Sequence, residues 1–230
     1  MNGYSLSRKL RVFAMLALLV LAARPAKAAV HNDNLVPFLR DVRGPTCSAA
    51  DPALGAITAN TPLNALLFNR TGCAPVMAPD GHQLTLREFT AVKGSASVQC
   101  ISMGTRAMLH FSGLVPNQVY TVWLFLVNPN PPFDYLGAGS LGRTDPSENF
   151  FTANADGEGE ITRTTPAQML SAAGQVGPCF LDDVVEIHLV YHLDEMTHGH
   201  LPGPGDTWVT NASFYFPDFS KRRGEEEEDD

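Results

Sequence analysis

The hydrophobic pattern of this chain changes at His82, and the change decides the fold class. From there onward apolar and polar residues alternate with a period of two, in β-branched and aromatic runs separated by Gly, Pro, Asn and Asp. Eight runs fit strands: 83–92, 96–103, 106–114, 119–127, 149–152, 160–164, 183–193 and 207–216. Because turns rather than helices join most of them, we expect an all-β domain, an antiparallel β-sandwich over residues 81–219.

Before this domain, residues 29–80 are rich in Pro, Asn and Ala with weak alternation, which predicts an irregular N-terminal segment. Its one exception is TPLNALLFNRTG, where Thr61 can cap a two-turn helix and Pro62 suits the first helical position. A short strand fits the same stretch. A further short helix is expected with Thr165 as its cap and Pro166 at its first position, ending before Gly174.

The stretch GLVPNQVYTVWLFL places Leu114, Pro116, Tyr120, Val122 and Leu124 at the spacing L-x-P-x-x-x-Y-x-V-x-L. This spacing resembles the corner that enters the penultimate strand of fibronectin type III and related immunoglobulin-like domains. The resemblance implies an immunoglobulin-like sandwich in which the tyrosine hydroxyl bonds back to the backbone of the corner. The chain departs from that family in its greater length and in the several strands after the corner, so the resemblance implies no function.

The N-terminus predicts export. Three basic residues precede an apolar run over residues 12–23, and Ala26 and Ala28 form an A-x-A cleavage site, so residues 1–28 match a secretory signal peptide. The run is shorter than the roughly 20 residues that a bilayer span needs. We therefore expect a secreted protein, extracellular or periplasmic, with no membrane association beyond the signal peptide.

Four cysteines, Cys47, Cys73, Cys100 and Cys179, predict two disulfides in an exported chain. Their spacings fit no structural zinc pattern, and three connectivities are possible. We favour Cys47 with Cys73, which would pin the N-terminal segment, and Cys100 with Cys179, which would close the main domain.

Charge argues against nucleic acid as a partner. Removal of residues 1–28 takes away five basic residues and no acidic one, which leaves 11 basic against 24 acidic residues, a net charge of −13. Six of the acids form the run EEEEDD, and residues 220–230 are expected to be a disordered, solvated tail. Two sequons, at Asn69 and Asn211, would be glycosylated in a eukaryotic host.

Four of the seven histidines lie within EIHLVYHLDEMTHGH. His188 and His192 alternate with apolar residues on a predicted strand, where four residues span about 13 Å, so the two rings cannot share one ion. His198 and His200 flank a glycine in the following loop, and both rings can converge on one ion.

Several other groups can supply the remaining ligands of an ion bound by His198 and His200, and the metal would be copper or zinc. They are His192 at the strand end, His110 from a neighbouring strand, and the loop residues Asp194, Glu195 and Met196. The alternative is that these histidines are ordinary strand and loop residues. Cleavage after Ala28 would also expose Ala29-Val30-His31, whose nitrogens can form a square-planar set for Cu(II) or Ni(II).

The segment from 128 to 149 is a second candidate binding surface, because long ordered loops between strands tend to be functional. Phe133 and Tyr135 would supply an aromatic platform and Arg143 a polar contact for a glycan, peptide or protein ligand. The alternative is a loop that folds over the sandwich and buries its aromatic residues.

Catalysis finds little support, because the chain has no G-x-S-x-G and no H-E-x-x-H sequence and its cysteines are expected to pair. We therefore predict a secreted, monomeric, non-catalytic binding module that uses the loops 128–149 and 194–206. Copper or zinc binding through the His-Gly-His loop is the alternative.

Overall fold

A computed structural model describes residues 28–51, 53–127, 135–142, 148–166, 179, 185–199 and 203–216, without the side chains of Tyr135 and Leu136. In these ranges the paired strands are antiparallel and form two larger sheets around one apolar core, which confirms the all-β sandwich. The predicted signal peptide (apart from Ala28), the predicted acidic tail and residues 167–174 of the predicted second helix lie outside the described ranges.

The elements, in chain order, are β1 (Val30–Asn32), β2 (Val36–Pro37), a 3-10 helix (Leu39–Asp41), β3 (Val42–Arg43), β4 (Phe68–Asn69), α1 (Leu86–Phe89), β5 (Lys93–Ile101), β6 (Gly104–Ser112), β7 (Val119–Val127), β8 (Tyr135–Ser140), β9 (Phe150–Thr152), β10 (Gly159–Pro166), β11 (Val185–His192) and β12 (Trp208–Phe216). The strands before residue 92 are short, and those after it are longer except for β9.

One sheet has the order β1-β5-β6-β10 and the other β2-β12-β11-β7-β8, with β9 beside β8 on the same edge of β7. A small separate pair joins β3 to β4. Seven of the eight predicted strands are present, and β7 has the predicted bounds. Among them, β7, β11 and β12 carry enough β-branched and aromatic residues for their period to be visible in the sequence.

The predicted strand 83–92 is wrong, because residues 86–89 form the helix α1, Thr90 follows in a turn, and only isolated bridges occur at Gln83 and Thr85. Thr85 and Glu88 form a capping box: the Thr85 hydroxyl accepts from the Glu88 backbone N–H, and the Glu88 carboxylate accepts from the Thr85 backbone N–H. Leu86 and Phe89, three residues apart, are buried on one side of α1. The sequence carries this signal as T-x-x-E, which outweighs an alternation of only a few residues.

The N-terminal segment contains more strand than expected. The stretch 61–72 forms no helix: Ala65 N donates to Pro62 O in a single turn, and the short strand β4 follows, which was the alternative expected for this stretch. β1 and β2 add edge strands to the two sheets, and Val42, Leu67 and Val76 join the same core as the sandwich strands. Strands of two or three residues are too short to show a period in the sequence.

Part of the predicted loop 128–149 is the strand β8, which pairs with the second half of β7. Its sequence, YLGAGS, lacks the β-branched residues typical of strands. Pairing with the apolar strand β7 therefore overrides a weak local propensity.

The core contains the corner hydrogen bond that the sequence resemblance implies. Tyr120 is fully buried, and its hydroxyl accepts from the backbone N–H of Val115 at 3.0 Å. Its ring packs edge-on against Tyr191 and is stacked with Phe151. Burial raises the pKa of the Tyr120 hydroxyl, so this group remains a neutral hydrogen-bonding partner.

β11 is a central strand, with β7 on one side and β12 on the other, and all eight of its residues are buried. The face that carries His188 and His192 is therefore covered by other parts of the protein. The rings of Phe38 and Phe125 lie 5.0 and 4.2 Å from the His188 ring. Burial on both faces means that polar groups of β11 need partners inside the protein.

The structure contains two disulfides, Cys47–Cys73 and Cys100–Cys179, the pairs that the sequence analysis favoured. As far as the chain is described, no cysteine is free. Among the helices of the described ranges, none combines the length and apolarity needed to cross a membrane.

Both sequon asparagines are structural. Asn69 is 1% exposed and its side-chain amide donates to Trp208 O, while Asn211 is 3% exposed and donates to Phe89 O. A sugar on either amide nitrogen would start inside the folded protein, so a glycan at either sequon would require a local rearrangement of the fold.

Candidate metal centre

The candidate centre lies where β11 ends and the chain turns towards β12. The side-chain amide of Gln118 donates to the His192 carbonyl, and Leu193 N donates to Thr207 O at 2.8 Å. These contacts fix the strand end from which the loop 193–199 departs. The same loop was predicted to hold a metal.

Three side chains converge at this strand end. One ligand atom from each of His192, Asp194 and His198 lies within 4.8 Å of the other two. His198 Nε2 is 2.8 Å from Asp194 Oδ2, and the two imidazole centroids are 6.0 Å apart. A tetrahedral ion with bonds of about 2.0 to 2.1 Å separates its ligand atoms by roughly 3.3 Å, so small movements would close the set on an ion.

His192 is the buried member of the cluster. Burial lowers the pKa of its imidazole to about 4; the Asp194 carboxylate acts in the opposite direction and His198 in the same one. The ring is therefore neutral at neutral pH, the state that a metal ligand requires. Its Nε2 lies 2.7 Å from Thr121 Oγ1, whereas its buried Nδ1 has no hydrogen-bond partner among the described residues.

Asp194 and His198 form the open side of the cluster, with side chains 25% and 21% exposed. Asp194 Oδ1 accepts from Met196 N at 3.1 Å, which leaves Oδ2 directed at His198. Glu195 and Gly199 both have positive φ, at 57° and 70°, so the loop turns tightly. The arrangement can hold an ion through three protein ligands and leave a further coordination position facing solvent.

Gly203 packs against the His198 ring from the other end of the loop. A Cβ at this position would lie against Cδ2 and 2.8 Å from both Cγ and Nε2 of His198, and the glycine has a φ of +92°. The ring cannot remain in place if this residue acquires a side chain.

If this cluster binds zinc, Gly203→Ala is expected to weaken the binding by about tenfold or more, because the displaced His198 ring loses its alignment with Asp194. Gly205→Ala is the matched control, since its Cβ would meet only Thr71 at 3.7 Å or more and no positive φ is needed. Zinc affinities of both variants, measured by calorimetry, check the prediction. Equal affinities for Gly203→Ala and wild type would show that the ring is free to move.

The other predicted site residues fall in different places. His110 lies on β6 of the other sheet, 63% exposed and 3.5 Å from Glu160, and does not join the cluster. Met196 is exposed, and the backbone of His31 belongs to β1, so the proposed N-terminal copper set would require that strand to leave β5. The remaining predicted residues lie outside the described ranges: His200, Phe133, Arg143 and the side chain of Tyr135.

His82 also contacts two carboxylates, and here the arrangement is that of a structural bridge. His82 Nδ1 lies 2.5 Å from Asp80 Oδ1 and its Nε2 lies 3.0 Å from Glu88 Oε1, so the ring links a turn to the capping box of α1. The hydrogen bond to Asp80 is the main cause that raises the pKa of His82 above 6.5, with Glu88 adding to it. The carboxylates lie on opposite sides of the ring, which suits a bridge and not a chelate.

His82 should make stability depend weakly on pH. Because its pKa is raised in the folded state, its contribution is complete below the unfolded value of 6.5 and is lost as pH rises through the folded value. We expect His82→Ala to lower the urea midpoint more at pH 5.5 than at pH 8.5. The difference between the two pH values should be small, since the side chains of His82 and Asp80 are exposed. A variant whose deficit is the same at both pH values would contradict this assignment.

No protein-family model matches this chain, and no curated protein matches it in sequence.

Proposed function

We propose that this protein binds a transition-metal ion, zinc or copper, through His192, Asp194 and His198. The observation that supports this is the convergence of the three ligand atoms within 4.8 Å at the end of a fixed strand. Two imidazoles and a carboxylate are a donor set that suits both Zn²⁺ and Cu²⁺. These three side chains belong neither to the hydrophobic core cluster nor to the cap of the helix α1.

The burial of His192 supports the proposal independently. A buried ring nitrogen without a partner costs about 1 to 3 kcal/mol of stability. In the described part of the chain, Nδ1 of His192 is such an atom, and it belongs to the ring that joins Asp194 and His198 in the cluster. A bound cation would satisfy this nitrogen and offset the cost.

The loop that carries Asp194 and His198 is also part of the binding surface predicted from the sequence. We propose that the protein is secreted after removal of residues 1–28 and acts as a non-catalytic, monomeric module. Its binding surface would be the loop 194–206, with the ion lying in it. The segment 128–149 is left out of this surface, because it begins after Val127, at the opposite end of β7 from His192. The two disulfides support an oxidising compartment, and the Tyr120 hydrogen bond supports an immunoglobulin-like type of sandwich.

The test is a titration of the purified, chelator-treated protein without an affinity tag, using Zn²⁺ and Cu²⁺ separately. We expect one-to-one binding, with an affinity that weakens by about 100-fold or more in Asp194→Ala and in His198→Ala. Removal of a residue that only hydrogen-bonds to a ligand lowers metal affinity by about 10- to 100-fold, and removal of the ligand itself should lower it further. Both side chains are partly exposed, so the variants should fold. His110→Ala is the control, and His200→Ala asks whether that residue adds a fourth ligand.

Copper binding can also be followed through fluorescence, because the chain has two tryptophans and both lie close to His192. Trp208 is its partner across the β11–β12 ladder, and the Trp123 indole is hydrogen-bonded to the Thr121 hydroxyl that contacts the His192 ring. Bound Cu²⁺ should therefore quench most of the emission at one equivalent. Binding that is weak, or unaffected by Asp194→Ala and His198→Ala, would overturn the proposal.

A further inference from the structure

We infer that Thr121 is a positioning residue that orients His192 so that Nδ1, and not Nε2, is its metal-binding nitrogen. This inference rests on the proposed metal function and adds a role for a strand that contributes no ligand.

The contacts of the Thr121 hydroxyl carry the argument. The indole N–H of Trp123 can only donate, and it donates to Thr121 Oγ1 at 2.9 Å. The same oxygen lies 2.7 Å from Nε2 of His192. A neutral imidazole that binds a cation through Nδ1 carries its proton on Nε2, and Thr121 Oγ1 can accept that proton with its second lone pair.

The register of the sheet makes this contact possible. Thr121 pairs with Val190 across β7 and β11, so the Thr121 and His192 side chains lie on the same face as diagonal neighbours. Thr121 is buried, and the hydroxyl is held by Trp123 on its own strand. The hydroxyl is therefore fixed before any ion binds.

The alternative nitrogen is blocked by the same hydroxyl. An ion at Nε2 would have to displace Thr121 Oγ1, which would leave the buried Trp123 indole N–H without its acceptor. Nδ1 has no competing partner among the residues that the structure describes. A ligating histidine usually donates its other ring N–H to an acceptor that fixes tautomer and orientation, and here that acceptor is a threonine hydroxyl.

The experiment combines zinc titration with nitrogen-15 NMR of the histidine rings, on wild type, Thr121→Val and Thr121→Ser. In wild type we expect the proton of His192 on Nε2, and zinc addition should shift the Nδ1 resonance. Thr121→Val should weaken zinc binding by about 10- to 100-fold, whereas Thr121→Ser, which keeps the hydroxyl, should restore most of the affinity. A purely structural role of Thr121 would not change which nitrogen binds zinc.

The outcomes separate this inference from the function on which it rests. No zinc binding by wild type would overturn the proposed function, and the inference with it. Zinc bound through Nε2, or a zinc affinity unchanged in Thr121→Val, would overturn the inference alone. A shift of the proton from Nε2 to Nδ1 in Thr121→Val, reversed in Thr121→Ser, would support it.

Discussion

Replacing Cys100 and Cys179 together by alanine is expected to lower the free energy of unfolding by about 4.5 kcal/mol, the larger of the two disulfide effects. The reason is the loop that each bridge closes in the unfolded chain. The Cys100–Cys179 bridge spans 79 residues, against 26 for Cys47–Cys73. The same chain-entropy relation gives about 3.5 kcal/mol for the shorter loop.

The two double variants are each other's controls. In equilibrium denaturation, wild type should be the most stable, Cys47→Ala/Cys73→Ala less stable, and Cys100→Ala/Cys179→Ala the least stable. Alanine is chosen because Cys100 and Cys179 are buried, and a serine hydroxyl there would need a hydrogen-bond partner. A greater loss from removing the 47–73 bridge would show that local packing, and not loop length, dominates.

Tyr120→Ala is the second large effect, with an expected loss of about 4 kcal/mol or more. Removal of a fully buried aromatic ring costs about 3 to 5 kcal/mol, and this ring contacts both Tyr191 and Phe151. The substitution also leaves the buried Val115 N–H without its acceptor. Urea denaturation measures the sum of the two losses.

Tyr120→Phe separates the hydroxyl from the ring. It keeps the ring contacts and should cost about 2 kcal/mol, the range for a buried donor left unpaired. Tyr191→Phe is the comparison, because the Tyr191 hydroxyl donates to Met77 O, and an under-satisfied carbonyl is better tolerated than an orphaned N–H. A Tyr120→Phe protein as stable as wild type would show that the corner hydrogen bond contributes nothing.

The sequence predicted the sandwich because its strand signals repeat. β7, β11 and β12 each carry enough β-branched and aromatic residues for the period to be visible without the fold. The failures are local. The helix α1 was not predicted, although Thr85 and Glu88 have the sequence spacing of a capping box. The strand β8 was not predicted because its sequence, YLGAGS, has weak strand propensity, and it pairs with β7 in the folded protein.

The candidate site divides in the same way. The sequence by itself brought His198 and His192 into one hypothesis, since they are six residues apart at a strand end and in the loop after it. It could not rank Asp194 above its neighbours in the loop, nor exclude His110. That exclusion came from the sheet order, which puts β6 in one sheet and β11 in the other.

Only the tertiary structure decided the environment of the ligands. Burial of β11 on both faces makes His192 neutral, and the register of β11 against β7 brings Thr121 onto one of its ring nitrogens. A period of two in the sequence tells which residues share a face. It does not tell what covers that face, because burial and register depend on chain segments far apart in sequence.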